Sequence, residues 1–168
     1  MKASIISAVL TVSLLLAGCG KKTTPPSSTS PTAAPVAESA MTAWQQGDIT
    51  KALSSFIETD WSRGPLFAGD SPLSLTEDQF KALPEAERQA KSTEMVAQLD
   101  AVKKLAAAVA QAGREAAAKG DTALARQYFT SLTQFGTALD HPDGLSLVQL
   151  VGKAFKKMAE TELAKIPQ

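Results

Sequence analysis

The sequence predicts an all-α domain, built of helical hairpins around one long central helix and placed after an N-terminal leader and a linker. Good helix formers (alanine, leucine, glutamate, lysine and glutamine) dominate from residue 38 onward. Apolar residues there recur at spacings of three and four rather than in strand-like alternation. We therefore divide the chain into a signal peptide (1–18), a linker (19–37) and an all-helical domain (38–168).

The first 18 residues have the pattern of a secretory signal peptide. Lys2 gives a positive start, and the apolar run from Ala3 to Gly18 is shorter than the roughly 20 residues of a membrane helix. A positive start, a short apolar core and small residues at its end are typical of exported precursors. The alternative is an uncleaved signal anchor in which Cys19 is a buried, inert thiol.

The leader ends in Leu16-Ala17-Gly18-Cys19, which contains the only cysteine of the chain. This motif resembles the lipobox of bacterial lipoprotein precursors. The resemblance implies cleavage between Gly18 and Cys19 and acylation of Cys19, with palmitate as a suitable label. Two or more acyl chains anchor a protein to a membrane stably. We therefore expect a lipid-anchored protein of the cell envelope, and Gly20 in place of Asp implies the outer membrane, facing the periplasm, in a Gram-negative host.

The segment after the cysteine predicts a disordered linker. Residues 20–37 read GKKTTPPSSTSPTAAPVA, with four prolines and many hydroxyl side chains. Such a composition offers little apolar surface to bury. Two interpretations stand: a spacer that lifts the domain off the membrane, or a linker of no tuned length.

The mature chain is close to neutral. Once Lys2 leaves with the leader, 16 basic residues face 17 acidic ones. A chain without a basic field has little attraction for nucleic acid, so we expect no nucleic-acid partner. With Cys19 lipidated no disulfide can form, and the fold depends on its hydrophobic core.

The helices of the domain follow in order, separated by caps and breakers. Thr76 and Pro84 are favourable residues at helix starts. We predict helices over about 38–46, 48–60, a short stretch after Thr76, 84–119, 121–139 and a last segment ending near Lys165, with a loop over 61–74.

Three of these helices carry an apolar stripe. On the long helix it is Met95, Leu99, Val102, Ala106, Val109, Gly113 and Ala116; on the next, Leu124, Tyr128, Leu132, Phe135 and Leu139; on the last, Leu147, Val151, Phe155 and Met158. The long stripe is heptad-like. It is either the core of a helical hairpin or a seam through which copies of a structural lipoprotein self-associate. Lysines at 153, 156 and 157 lie on other faces of the last helix, where they meet either lipid headgroups or solvent.

Two stretches of the domain echo each other, WQQGDITKALSSF (44–56) and AAKGDTALARQYF (117–129). Their shared residues are Gly47/Gly120, Asp48/Asp121, Ala52/Ala125 and Phe56/Phe129. Glycine ends one helix with a left-handed cap, and aspartate caps the next. The alanine permits close packing, and the aromatic ring fills the groove between the helices.

This pattern resembles the turn and second helix of tetratricopeptide repeats, and Gly113 matches the first-helix glycine of that family. The resemblance implies binding of a protein or peptide on a concave helical surface. The two stretches lie 73 residues apart, whereas that family repeats every 34 or so. We therefore expect repeat-like hairpins and not an array.

Residues suited to catalysis are scarce. The single histidine, His141, lies in the turn Asp140-His141-Pro142-Asp143-Gly144. This turn is either a metal or acid–base site or a solvated loop in which Asp143 caps the last helix. The sequence lacks a phosphate-binding loop, zinc-ligand spacing and a metalloprotease motif. We expect no enzymatic activity, no cofactor and no metal.

The loop Trp61–Phe67 is rich in large apolar residues. One interpretation is that this loop is the exposed aromatic lip of a binding groove. Since tryptophan and arginine are favoured at interaction hot spots, the candidate partner-binding residues are Trp44, Trp61, Arg63 and Phe67. The alternative is a loop folded over the helices, with Trp61, Leu66 and Phe67 as plugs. We expect a lipid-anchored scaffold that holds a protein or peptide; self-association and binding of a small ligand are the alternatives.

Overall fold

The computed structural model describes residues 35–167, which form six α-helices and one turn of 3-10 helix. They are α1 (Glu38–Gln45), α2 (Ile49–Glu58), η1 (Pro72–Ser74), α3 (Glu77–Ala82), α4 (Glu85–Ala118), α5 (Thr122–Leu139) and α6 (Ser146–Leu163). This part of the chain contains no β-strand, only one isolated bridge between Thr76 and Gly144. The all-α fold with a long central helix is confirmed. The predicted signal peptide, the predicted cleavage site between Gly18 and Cys19, and residues 19–34 of the predicted linker lie outside the described residues.

The long helix α4 is the centre of the domain. All seven residues of its predicted stripe are buried, together with Leu105 and Ala110. They pack against α1, α2, α5 and η1 of the same chain. The stripe is therefore the core of the domain, and it is not exposed for pairing with a second copy. Among residues 35–167, no helix combines the length and the apolar content that a membrane crossing needs.

The two echoing stretches form equivalent turns, one between α1 and α2 and one between α4 and α5. Gly47 and Gly120 have φ of 77° and 82°, in the left-handed region where glycine is favoured. The side chains of Asp48 and Asp121 each accept a hydrogen bond from a backbone N–H three residues later, at 3.0 Å. The predicted caps are confirmed at both turns.

The packing behind these turns is also shared. Ala52 and Ala125 are fully buried, as are Phe56 and Phe129. A Cβ atom placed on Gly113 would lie 2.7 Å from Cζ of Phe129, so the ring sits directly on the α4 backbone. The equivalent alanine and phenylalanine are therefore buried in both hairpins, and in the second the Phe129 ring packs on Gly113.

The buried face of α6 differs from the predicted one by a rotation of part of a helical turn. Its buried residues are Val148, Gly152, Phe155 and Ala159, whereas Leu147 is 46% exposed. The cause is a backbone contact with α5: a Cβ atom on Gly152 would lie 2.5 Å from the carbonyl oxygen of Gly136. Because glycine carries no apolar side chain, the spacing of apolar residues could not reveal this contact.

The predicted stripe of α5 needs a smaller correction. Leu132, Phe135 and Leu139 are buried as expected, but Leu124 and Tyr128 are only half-buried. Phe129 takes the core position instead, since its ring fills the space left by Gly113.

The linker predicted over 19–37 is wrong at its C-terminal end, where Val36 and Ala37 belong to the folded domain. The N–H groups of Val36 and Ala37 donate to the carbonyl oxygens of Pro65 and Leu66, at 3.0 and 3.2 Å. Ala37 is buried against the domain. These hydrogen bonds and the burial of apolar surface outweigh the polar composition of the segment at its end.

The loop predicted over 61–74 also contains local structure. Its end forms η1, which begins after Ser71, whose hydroxyl accepts from the N–H of Leu73 at 3.2 Å. The same hydroxyl donates to Oε1 of Gln98 on α4, at 2.7 Å. The loop is thereby attached to the central helix.

Candidate functional site

The described part of the chain contains a partly open groove of about 750 Å³. It lies between the loop 60–67, the segment 73–76, the second half of α5 and the turn 141–144. Two stretches that the sequence analysis singled out separately, the Trp61–Phe67 loop and the His141 turn, therefore meet at one site.

Trp61 forms the fixed base of the groove. Its ring is 3% exposed, and its Nε1–H donates to the carbonyl oxygen of Phe56 at 3.1 Å. The ring lies 4.7 Å from Phe56 and 4.6 Å from Phe135, centroid to centroid. Such tilted aromatic pairs add to the stability that burial supplies. Trp61 is therefore a plug, and the interpretation of it as an exposed lip is wrong.

Of the other three candidate residues for partner binding, one lines the groove and two do not. Phe67 is half-buried and lines the groove. Arg63 is exposed in the same loop but outside the lining, with its Nε 2.7 Å from Oδ2 of Asp60. Trp44 is half-buried on α1 against the core and does not line the groove. The structure thus brings together Trp61 and Phe67 and leaves Trp44 apart.

The polar wall of the groove is one face of α5. Thr133, Gln134 and Thr137 line it, and the two threonines are one helical turn apart. Thr133 Oγ1 donates to the carbonyl oxygen of Phe129 at 3.0 Å, and Thr137 Oγ1 donates to that of Thr133 at 2.9 Å. Their hydrogens are used within the helix, so each hydroxyl oxygen presents lone pairs to a ligand N–H.

Apolar side chains also line the groove. They come from the loop 60–67, the segment 73–76 and the first turn of α6: Pro65, Leu66, Phe67, Leu75 and Val148. The groove therefore offers both apolar contact and hydrogen-bond acceptors. This combination suits a ligand with apolar groups and N–H donors.

The charges at the rim are largely compensated. Asp60 accepts from the hydroxyl of Ser62 at 2.6 Å and from its N–H at 3.1 Å. These hydrogen bonds, with a smaller contribution from Arg63, hold the pKa of Asp60 below its ordinary value. The carboxylate therefore stays ionised in a local cluster and does not face the groove as an unpaired charge.

His141 lies at one end of the groove and is solvated. Its side chain is 66% exposed, and its Nδ1 accepts from the N–H of Asp143 at 3.3 Å. The Oδ2 atom of Asp143 is 3.8 Å from the same nitrogen. Within residues 35–167, no three histidine, cysteine, aspartate or glutamate side chains are placed to hold a metal ion.

The turn beside His141 is held by a residue from α3. The expectation that Asp143 caps the last helix is wrong, because Glu77 takes that role: its Oε1 accepts from the N–H and the hydroxyl of Ser146, at 2.8 and 2.7 Å. An acidic group is stabilising at a helix N-terminus, where backbone N–H groups lack partners. This contact sets the position of the first turn of α6, which carries Val148 into the groove.

We expect the Glu77 cap to make stability depend on pH in acid. Hydrogen bonds from the backbone N–H and then the hydroxyl of Ser146, with a smaller effect of Lys81, lower the pKa of Glu77 from its ordinary value of 4.5. A lowered folded-state pKa means that the ionised form stabilises the fold. The contribution is complete above about pH 4.5 and is lost as the pH falls through the folded-state pKa.

Urea unfolding at about pH 6 and about pH 3 measures this effect. Glu77→Gln should lose less stability than wild type over that interval, because it has no carboxylate to protonate. Glu87→Gln, an exposed position on the first turn of α4, is the control and should keep the wild-type dependence. Equal pH dependence in Glu77→Gln and wild type would contradict the assignment of the cap.

Most of the groove was not predicted from the sequence. Its parts lie far apart along the chain: Glu77 and Ser146, for example, are separated by 69 residues. Thr133 and Thr137 look like ordinary solvent-facing helix residues until the loop 60–67 is placed opposite them. Only the aromatic content of that loop and the single histidine in the turn 140–144 signalled parts of the site in advance.

No protein-family model matches this chain, and neither a curated protein nor a solved structure matches it. The lipobox and tetratricopeptide resemblances therefore depend on their motifs alone. The groove and the N-terminal motif are therefore the two features of this chain that bear on its function.

Proposed function

We propose that this protein is a lipid-anchored lipoprotein of the cell envelope whose helical domain binds a segment of a partner protein, without catalysis. The observation that carries the proposal is the groove between the Trp61–Phe67 loop and α5. Its volume of about 750 Å³ falls within the range of about 300–1,000 Å³ that binding sites usually have.

The spacing of acceptors in the groove favours an extended peptide as the ligand. Residues i and i+4 on a helix have Cβ atoms about 5–6 Å apart, and this is the spacing of Thr133 and Thr137. Every second N–H group of an extended peptide points the same way, at a repeat of about 6.8 Å. Two N–H groups on the same edge of an extended peptide can therefore reach the two threonine oxygens, while side chains that project out of the peptide plane contact the apolar lining residues Leu66, Phe67 and Val148.

The anchor comes from Cys19, which lies outside the described residues. The lipobox resemblance and the dual-chain requirement for stable anchoring support lipidation at this position. A chain extends by at most about 3.4 Å per residue, so an anchor at Cys19 keeps Pro35 within about 55 Å of the membrane. The groove would then meet partners at the envelope.

Self-association through the α4 stripe would need that stripe to be exposed. All seven stripe residues are buried against helices of the same chain. A coiled coil between copies would first have to open the core. The buried stripe therefore does not support self-association through α4.

Photo-cross-linking from the groove tests the proposal in bacterial cells that make the full chain. A benzophenone amino acid replaces Thr137, which lines the groove, or Thr130, an equally solvent-facing threonine of the same helix outside the lining. We expect one recurrent foreign protein attached at position 137 and not at 130. Adducts at both positions alike, or adducts only to further copies of the chain, would refute the groove as a partner site.

The anchor is tested in the same cells with labelled palmitate. Wild type should incorporate the label and Cys19→Ser should not. Equal labelling of the two chains would refute the lipid anchor while leaving the cross-linking result intact.

A further inference from the structure

Helix α6 has a second apolar face besides the one in the core. The core face consists of Val148, Gly152, Phe155 and Ala159. The second face recurs at spacings of three and four as well, and consists of Leu147, Leu150, Val151, Ala154 and Met158. Leu147 and Leu150 are 46% and 63% exposed.

Nothing in the described part of the chain covers the exposed leucines. Helix α6 packs along α5 and touches α4, where Arg114 NH1 lies 3.6 Å from Oε1 of Glu162 near the far end of the helix. Val151 and Met158 are half-buried at the edge of the core, so the apolar surface continues from the core out to Leu150. Single exposed leucines need no explanation, but a continuous apolar stripe indicates a contact surface.

A basic border runs along the outer edge of this stripe. At 100° per residue, Lys157 lies about 20° and Lys153 about 60° around the helix from Leu150. Both are exposed; Lys153 has only a distant partner, with its Nζ 3.7 Å from Oδ1 of Asp140. The exposed acid Glu160 lies further round, about 80° from Leu150. Among the charged residues of α6, the two nearest to Leu150 around the helix are therefore positive, while the Glu77 carboxylate from α3 lies at Ser146 on the first turn.

This charge pattern disfavours a second copy as the occupant. A two-fold symmetric pairing of α6 helices would cross most closely at Ala154, the smallest residue of the stripe. Lys153 and Lys157, both within one turn of Ala154, would then face the same lysines of the other copy. Like charges across an interface are repulsive, so the surface calls for an anionic occupant.

The chain enters the domain near the end at which Leu147 and Leu150 are exposed. Val36 is hydrogen-bonded to Pro65, and Pro65 and Val148 line the same groove. The chain thus reaches the domain near the first turn of α6, where Leu147 and Leu150 are exposed. A tether that ends here leaves the first turn of α6 within reach of whatever Cys19 is attached to.

We propose that the outer face of α6 lies on the anionic headgroup surface of the membrane, with Leu147 and Leu150 inserted and Lys153 and Lys157 among the phosphates. The inference rests on the lipid anchor of the proposed function. Tethering turns the contact into an intramolecular one with an effective concentration in the millimolar range, so a small surface is sufficient. The docked face would fix the orientation of the groove relative to the membrane.

The test uses the full lipidated chain in vesicles of phosphatidylcholine with or without phosphatidylglycerol. An environment-sensitive fluorophore is attached to Ala154→Cys, which keeps both leucines, or to Ala97→Cys, an exposed alanine of α4, as the matched control. With phosphatidylglycerol present, we expect emission at shorter wavelength and quenching by lipid-borne quenchers at position 154 only.

The lysines provide the second readout. Each basic residue near an anionic surface contributes about fivefold to binding, so Lys153→Gln with Lys157→Gln should lower the ratio of docked to undocked protein about 25-fold. Added salt should act in the same direction. The contact would be overturned by a probe at 154 that behaves like the probe at 97, by equal signals in neutral vesicles, or by energy transfer between copies.

Failure of the anchor gives a different result. Cys19 reacts with the fluorophore only when it is not lipidated, so labelling of a chain without an added cysteine would show that the anchor is missing. A chain that floats with the vesicles and yet shows no docking at position 154 would overturn the α6 contact alone.

Discussion

Replacing Phe135 with alanine is expected to cost about 3–5 kcal/mol of the free energy of unfolding. The ring is 1% exposed and connects three elements of the core. Its centroid lies 5.2 Å from that of Phe56, 4.6 Å from Trp61 and 6.0 Å from Phe155. Removing it leaves a cavity at the point where α2, the groove loop and α6 meet on α5, and dense interiors relax only partly around such cavities.

Urea unfolding measures this loss, and Phe80→Ala is the control. Phe80 is a half-buried phenylalanine on α3 at the edge of the core, so its removal should cost clearly less. Trp61 should also become accessible to a soluble quencher in Phe135→Ala, because its ring loses a neighbour. An equal cost for the two variants would contradict the central position of Phe135, and with it the rigid base of the groove.

Gly152→Ala is expected to destabilise the domain by about 2 kcal/mol. The added methyl group would lie 2.5 Å from the carbonyl oxygen of Gly136 and 2.8 Å from the backbone nitrogen of Asp140. Overpacking against backbone costs up to about 3 kcal/mol, and the better helix propensity of alanine returns about 1 kcal/mol. Helices α5 and α6 must separate to admit the group, since no flexible side chain is there to move.

The control for this variant is Gly69→Ala. Gly69 lies in the loop before η1, where an added Cβ would have no atom within 4 Å, so the change should be within about 0.5 kcal/mol. If Gly152→Ala proved as stable as wild type, the close crossing of α5 and α6 would be wrong. The same separation would also move Val148, and we expect partner cross-linking from Thr137 to fall with it.

These two sites show how the groove depends on the core. The loop 60–67 is held from below by Trp61, and the turn 141–144 is held by the α5–α6 crossing and by Lys156, whose Nζ donates to Oδ2 of Asp140 at 2.8 Å. These two parts belong to different hairpins, because the loop 60–67 follows α2 and the turn 141–144 joins α5 to α6. The groove is therefore a property of the assembled domain.

Local features were predictable from the sequence because their causes are local. The Gly-Asp turns need only a left-handed residue followed by a capping side chain, and both were located correctly. The helix bounds agree with the predicted ones to within two residues for the same reason. The stripe of α4 was also correct, since a helix in contact with partners over most of its length has a single well-defined apolar face.

The sequence by itself determined the all-α fold, its central helix and its two equivalent turns, and its resemblance to a lipobox at Cys19 predicts the anchor. Only the tertiary structure decided which face of α6 is buried, since that choice comes from a contact between two glycine backbones that carries no apolar signal. It also decided that Trp61 is a plug, that Glu77 caps a helix 69 residues away, and that Thr137 faces a groove. Each of these depends on the distance between segments far apart in the chain, and such distances are set by packing.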